Sequence, residues 1–246
     1  MLLAINIGNT NIIFGLFNQD KLEKKFIISI KNYRFKKLKK ILSKINIDGC
    51  IICSVVPRFT KILAKDLRDL KIKEQVIVGK DIRVPIKNLY RQPERLGQDR
   101  LVNAYAGLSF YGTACVIIDT GTAITFDIVS KNKAYLGGMI LPGLNMCLDA
   151  LAKNTALLPK VKLKKPKEFI GKDTENSILS GLAYGFASLV DGIVEKIKKS
   201  LGYPIKVIGT GGDISFIYKY CYSIDRIDKD LTLKGLSLLF KNYRKK

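Results

Sequence analysis

Leu3-Ala4-Ile5-Asn6-Ile7-Gly8-Asn9-Thr10-Asn11 opens the chain, and Val116-Ile117-Ile118-Asp119-Thr120-Gly121-Thr122-Ala123-Ile124-Thr125 restates its pattern near the middle. Each is a short apolar β-run, an amide or acid, one residue, Gly and a small polar residue. A second β-like run follows each at once: Ile12-Ile13-Phe14-Gly15-Leu16-Phe17 in one case and Thr125-Phe126-Asp127-Ile128-Val129 in the other. A strand-turn-strand unit with Gly and hydroxyls at its tip presents backbone N–H groups and side-chain donors suited to phosphate oxygens. One copy would be an ordinary hairpin turn, since Gly-Asn and Gly-Thr are turn dipeptides. Two copies imply two halves facing one nucleotide between them. In that role Gly8 and Gly121 let the backbone approach the oxygens, while Asn9, Thr10, Asn11 and Thr122 donate.

The pattern around these loops supports two lobes. Strands are expected at about 2–7, 10–17 and 22–29, then a helix at 35–46, a strand at 51–56 ending at Pro57, and a helix from Gly97 to Tyr111. The second half restarts with strands at about 115–119, 123–129 and 134–140 and a helix after Pro142-Gly143. A long helix from Thr174 to about Leu201, a strand at 205–208 and a last helix from about Leu231 complete it. Three strands followed by alternating helix and strand, seen twice, indicate an α/β fold of two lobes with mixed sheets and a cleft between them. The boundary is placed at 112/113, giving an N-terminal lobe over 1–112 and a C-terminal lobe over 113–246.

Composition bounds the function. The chain has 246 residues, 47% hydrophobic and 26% charged, so it can bury a sizeable core and is not disordered. No apolar run is expected to reach the ~18 residues that span a bilayer, and the N-terminus lacks a signal peptide's basic region; the expectation is a cytoplasmic protein with no membrane partner. Five cysteines include Cys50-Ile51-Ile52-Cys53, but in a β-run residues three apart face opposite sides, so these read as structural thiols rather than a redox or zinc pair. The net charge of +22 admits a nucleic-acid footprint. Its lysine clusters lack interleaved aromatics, however, and a solvated surface that steers an anionic substrate is the stronger reading.

Three further segments carry polar chemistry. Gly209-Thr210-Gly211-Gly212-Asp213 follows a strand and either starts a helix or lets a ring or ribose approach the backbone. Gly97-Gln98-Asp99-Arg100 sets a carboxylate and a guanidinium at a helix start, as a helix-end charge pair or as contacts to a substrate hydroxyl and anion. In Gly171-Lys172-Asp173-Thr174, either Asp173 or Thr174 suits an N-cap.

Taken together, these residues resemble the type III pantothenate kinases, of the superfamily that includes actin, sugar kinases and Hsp70. The match runs end to end: Asn6 to Asn11, Ser54-Val55-Val56-Pro57, Gly97 to Arg100, Asp119 to Thr122, Tyr135-Leu136-Gly137-Gly138, Pro142-Gly143, Thr174 with Ser177 and Gly181, Gly211-Gly212 and Leu231 to Leu236. The resemblance implies two actin-like (ribonuclease H-like) lobes and transfer of the ATP γ-phosphate to pantothenate, giving 4′-phosphopantothenate, the first step of coenzyme A biosynthesis. It also implies a homodimer that needs Mg²⁺ and a monovalent cation, K⁺ or NH₄⁺. Asn6, Ile7, Gly8, Asn9, Thr10, Asn11, Ile12 and Ile13 would cover the ATP phosphates, and Thr122 would contact ATP. Asp119 would hold the monovalent cation. Tyr90, Gly97, Gln98, Asp99, Arg100 and Thr174 would hold pantothenate, with Asp99 as general base. Two positions depart from the family pattern: Asn6 stands where the family has Asp, which bears on Mg²⁺, and Ile124 replaces a usual Thr, expected to remove a hydroxyl near the phosphates. The alternative is a catalytically weakened or inactive family member acting as a nucleotide- or nucleic-acid-binding regulator.

Overall fold

A computed structural model describes every residue except Thr113 and Lys246. Two compact units appear, one formed by Met1–Ser109 with Asp230–Lys246 and the other by Phe110–Lys229. In chain order the elements are β1 (Leu2–Ile7), β2 (Asn11–Asn18), β3 (Lys21–Ser29), α1 (Phe35–Leu42), β4 (Gly49–Ser54), α2 (Pro57–Asp69), β5 (Gln75–Ile77), β6 (Lys87–Asn88) and α3 (Gln98–Tyr111). There follow β7 (Cys115–Thr120), β8 (Ala123–Val129), β9 (Ala134–Pro142), α4 (Leu144–Asn154), α5 (Thr174–Leu201), β10 (Lys206–Thr210), α6 (Ile214–Ile217), β11 (Arg226–Ile227) and α7 (Leu231–Arg244).

In the first unit the strand order is β3-β2-β1-β4-β5. The hairpins β1–β2 and β2–β3 are antiparallel, whereas β4 pairs parallel with β1 and β5 parallel with β4. Period-two alternation sorts the side chains of β1. Leu3, Ile5 and Ile7 join Leu38, Leu42, Phe59, Leu63 and Leu67 of α1 and α2 in one core. Ala4 and Asn6 face the opposite way, on the side covered by α7, which packs against β1, β2 and β4. Small residues set that approach: a Cβ on Gly15 would lie 3.0 Å from Leu233, and one on Gly235 would lie 2.9 Å from the Ala106 Cβ of α3.

The last helix therefore departs from the expected division, which placed 113–246 in one C-terminal lobe. A strand buried on both sides needs two helical layers, and α7 supplies the second. It is tied to α3 by Thr232 Oγ1 donating to Asn103 Oδ1 at 2.6 Å and by Asn242 Nδ2 donating to the Tyr105 hydroxyl at 3.0 Å.

The second unit repeats the plan. Its strands run β11-β10-β7-β8-β9, with β7–β8 and β8–β9 antiparallel and β10 parallel to β7, β11 parallel to β10. Val116, Ile118, Ile124, Phe126 and Ile128 pack under α4 and α5. The helix α5 is long and apolar enough to cross a membrane by length and composition alone, which corrects the expectation that no segment would reach that limit. Its Leu179, Leu182, Ala187, Val190, Val194 and Ile197 are instead buried in this core. Asp173 is its N-cap, accepting from Asn176 N–H at 2.8 Å, and Gly202 closes it in the left-handed conformation at φ 69°. Cys50 lies in the first core, whereas Cys53 sits on the opposite face of β4 beside Asn6. All five cysteines are free thiols.

Candidate active site

Parallel strands deliver their following loops to a common edge of the sheet, and such edges are where open α/β sheets bind ligands. In the first unit the loops after β1, β4 and β5 share that edge. The tip between β1 and β2 is closed by Gly8 N–H donating to Asn11 C=O at 2.9 Å, and Ile30 N–H donates to Thr10 C=O at 2.9 Å. Asn9, Thr10 and Asn11 are exposed at the tip, while Ile12 is buried and Ile13 half-buried. The strand β4 continues past its end, with Val55 N–H donating to Ile7 C=O at 3.1 Å, and this brings Ser54-Val55-Val56-Pro57 alongside the tip. Pro57 then opens α2, where its missing N–H costs nothing.

The start of α3 comes to the same edge. A Cβ on Gly97 would fall 2.5 Å from Asp99 Oδ1 and 3.6 Å from Val55 Cγ1, so the Asp99 carboxylate lies close against the Gly97 backbone beside the end of β4. Gln98 packs on Gly79, which has φ +85° and no room for a side chain, 2.8 Å from the Gln98 amide carbon. Asp99 Oδ1 accepts from Arg100 N–H at 2.9 Å. Burial pushes the Asp99 carboxyl above its ordinary range, opposed by that hydrogen bond and by the Arg100 charge. Its negative charge in turn adds to the burial that lifts the Cys53 thiol far above normal. Arg100 is itself 7% exposed, a buried guanidinium at the first turn of α3.

Asn6 completes this group. It pairs in register with Ile13 on β2 and Cys53 on β4, so its side chain shares a face with the Cys53 sulfur. Its Oδ1 is buried and has no hydrogen-bond partner among the described residues. An orphaned buried oxygen costs roughly 1–3 kcal/mol, and such a cost is characteristic of a position that meets a bound water, ion or ligand. Tyr90 follows β6, half-buried, its N–H donating to Asn88 Oδ1 at 2.9 Å.

The second unit assembles three loops at the equivalent edge. Gly121 N–H donates to Ala123 C=O at 2.9 Å, and Gly143 N–H to Thr122 C=O at 3.1 Å. A Cβ on Gly143 would lie 2.2 Å from Gly121 O, so the Pro142-Gly143 backbone lies flush on the turn. Gly211, at φ +93°, approaches from the other side: its Cβ would meet Thr120 O at 2.4 Å and Asp119 Oδ1 at 2.5 Å. The Thr120 hydroxyl donates to Thr210 C=O at 3.1 Å. Asp119 is half-buried and lies in register with Thr125 and Thr210. Thr122 is exposed at the tip, and Thr174 is exposed on the first turn of α5.

One expectation for this loop needs correcting. Ile124 is fully buried in the second core, because it alternates with Ala123 and Thr125 and points to the α4–α5 side. The missing hydroxyl at this position is a matter of core packing rather than of the exposed tip. The same edge carries two further side chains that pair with each other, Asn145 and Asp213. Asn145 Nδ2 donates to Asp213 Oδ2 at 3.3 Å. No local pattern announces a pairing across 68 positions, although Asp213 did end the quoted glycine motif.

The family model for type III pantothenate kinase matches residues 2–196. Type III pantothenate kinases from Geobacillus sp. and Finegoldia magna are 36% and 38% identical, covering 100% and 97% of this chain and 100% and 96% of their own. Among solved structures, a Baf-family transcriptional activator from Campylobacter jejuni aligns with TM-score 0.58 at 22% identity, covering 99% of this chain and all of its own. The activator of 2-hydroxyisocaproyl-CoA dehydratase from Clostridium difficile, with bound ADPNP, aligns with TM-score 0.57 at 12% identity over 99% and 96%. These likenesses show a shared fold alone, and the transcriptional name attached to one neighbour does not favour a regulator here. By the family match and by relatives of this identity over essentially the whole length, the chain belongs to the type III pantothenate kinases.

Proposed function

We propose that Asp99 is the general base in the ATP-dependent phosphorylation of pantothenate, the reaction of this family and the first step of coenzyme A biosynthesis. One observation supports it above the others: the Asp99 carboxylate, desolvated, close to Gly97 and accepting from Arg100 N–H, stands at the strand edge that carries the Gly8 loop. Phosphoryl transfer is mostly positioning and charge neutralisation, so the base need only orient the hydroxyl and finally accept its proton. A carboxyl raised above its usual range suits that task near neutral pH.

The remaining roles follow by residue. Asn6 to Ile13 cover the ATP phosphates and Thr122 contacts ATP. Tyr90, Gly97, Gln98, Arg100 and Thr174 hold pantothenate, with the buried Arg100 placed to balance the substrate carboxylate. ATP brings a divalent ion. Mg²⁺ typically takes one or two protein ligands beside phosphates and water, and the partnerless Asn6 Oδ1 is an oxygen of the right kind. The ion would lower the charge on the transferring phosphoryl group; Asn6 would orient it, and Asp99 would handle the proton. Asp119, flanked by Thr125 and Thr210, offers the oxygen donors a monovalent cation prefers.

A cytoplasmic homodimer fits the surface of the second unit. On α5 the exposed Gly181, Gly185 and Ser188 leave a helix face of small residues, beside Phe169 and Ile170 at 65% and 75% exposure. Light scattering of the purified protein tests the dimer. The activity is tested with ATP, Mg²⁺, K⁺ and pantothenate, assaying 4′-phosphopantothenate. Product that vanishes in Asp99→Asn is expected; no product from the wild type would overturn the reading.

A further inference from the structure

The third loop of the second unit carries a carboxylate that phosphate binding does not explain. Asp213 follows Gly211-Gly212 at the carboxyl end of β10, next to the end of β7. Its backbone N–H donates to Thr120 C=O at 3.1 Å, which ties it to the phosphate-type turn. Its Oδ2 accepts from Asn145 Nδ2 at 3.3 Å, and Asn145 stands on the first turn of α4, two residues after the Gly143 that closes that turn. The carboxylate is thus oriented from two sides by loops that are themselves locked by Gly143 and Gly211.

Its surroundings select its ligand. Asp213 is half-buried, and burial raises its carboxyl above the ordinary range, countered only by Asn145. Among the described residues it makes no ion pair, in a chain of net charge +22. An ionised carboxylate only accepts hydrogen bonds, and like charge repels it from the phosphates. It fits the uncharged part of a nucleotide that donates: the hydroxyls of the sugar.

We propose that Asp213, held by Asn145, is a specificity-determining residue that accepts hydrogen bonds from the ribose hydroxyls and makes the enzyme select ribonucleotides over deoxyribonucleotides. This rests on reading the second unit's loops as nucleotide-binding. A site built to bond a hydroxyl penalises the analogue that lacks it, because its own polar group is then left unpaired.

The experiment is calorimetric titration of the protein with ADP and with 2′-deoxy-ADP, paired with pantothenate phosphorylation by ATP and by 2′-deoxy-ATP. Wild type should bind the ribonucleotide about 10–100-fold more tightly, the range of one hydrogen bond to a charged group. In Asp213→Ala the two nucleotides should bind alike. Its KM for ATP should rise while KM for pantothenate stays, and Asn145→Ala should lose part of the preference. Circular dichroism identifies a variant that fails to fold, and equal affinities in the wild type would refute the proposal without any variant. Equal affinity of wild type for both nucleotides, or a preference that survives in folded Asp213→Ala, overturns the proposal while leaving the kinase reading standing. Failure to bind either nucleotide overturns both.

Discussion

The two units are built to one plan and furnished differently. The order β3-β2-β1-β4-β5 in the first matches β9-β8-β7-β10-β11 in the second, with the same parallel and antiparallel pairings. Both tips are closed by a Gly N–H, and in both the residue after the third strand of the meander donates to the turn: Ile30 to Thr10 and Gly143 to Thr122. Two residues before each Gly, however, one unit has Asn6 between Ile13 and Cys53, and the other has Asp119 between Thr125 and Thr210. A charge is kept where hydroxyls flank it and replaced by an amide where the flanks are apolar, as the cost of burying an unpaired ion demands. On the proposed reading the chemistry would be divided in the same way, with the Asp99 base in the first unit and the glycine-cradled turns in the second.

The largest test of that division removes the base. Asp99→Asn should lower kcat by about 10²–10⁴, with little change in KM for ATP, and the same variant should be more stable than wild type near neutral pH. The sign follows from linkage. A carboxyl raised in the folded state holds its proton more tightly there than in the unfolded chain, so stability falls as pH rises from the ordinary aspartate value up to the raised one. The penalty is complete above that window and absent below it. Thermal melts of both proteins at neutral and strongly acidic pH should therefore diverge at the former and converge at the latter. A variant that is inactive but destabilised at neutral pH would mean that Asp99 is structural.

Next in size is the cradle. Gly143→Ala puts a methyl group 2.2 Å from Gly121 O, against backbone that cannot yield without moving the turn. Overpacking of this kind costs about 1–3 kcal/mol, and KM for ATP should rise roughly 10-fold or more, since each 1.4 kcal/mol of lost binding is a factor of ten. Ile30→Ala at the equivalent point of the first unit meets no such limit and should leave KM for ATP within about 3-fold by the same conversion. If both changes act alike, the two tips are not differently built.

Asn6→Asp breaks the contrast directly. A carboxylate there would sit between Ile13 and Cys53, on the side where the Asp99 charge is already felt at the thiol. Without divalent ion the variant should melt lower than wild type, by about 2–4 °C for each kcal/mol of uncompensated burial. Added Mg²⁺ should recover the loss, and the acidic limb of its pH–rate profile should move upward as like charges disfavour ionisation of Asp99. Equal melting of variant and wild type with and without Mg²⁺ would place Asn6 away from any ion.

Much of this was legible because it is local. The hairpin tips, the helix start at Pro57 and the N-cap at Asp173 depend on residues close to one another in the chain, so turn and cap chemistry announce them. What escaped is long-range. The pattern of α7 fixes that it is a helix with a buried face but not which sheet receives it; only Gly235 against Ala106 and Gly15 under Leu233 reveal the first unit as its partner. Asn145 and Asp213 meet through the ends of two strands that no periodicity connects. The hydropathy of α5 passes the limit for crossing a membrane, which the reading of apolar runs excluded, because apolar residues on more than one face of a long core helix add up over its length.

The smallest expected effect concerns Ile124, where strand parity decides between two meanings of one substitution. Were the side chain at the exposed tip, Ile124→Thr would add a donor near the phosphates and lower KM for ATP. It lies instead at 0% exposure among Ile118, Phe126 and Leu144, where a hydroxyl must find a partner or cost about 1–3 kcal/mol. Nearby backbone acceptors in β7 and β9 are already engaged in the ladder, so part of that cost should remain. The expected result is a lower melting temperature, by a few degrees, with KM for ATP unchanged. A lowered KM with undiminished stability would instead give position 124 back to the nucleotide and erase one of the differences between the two tips.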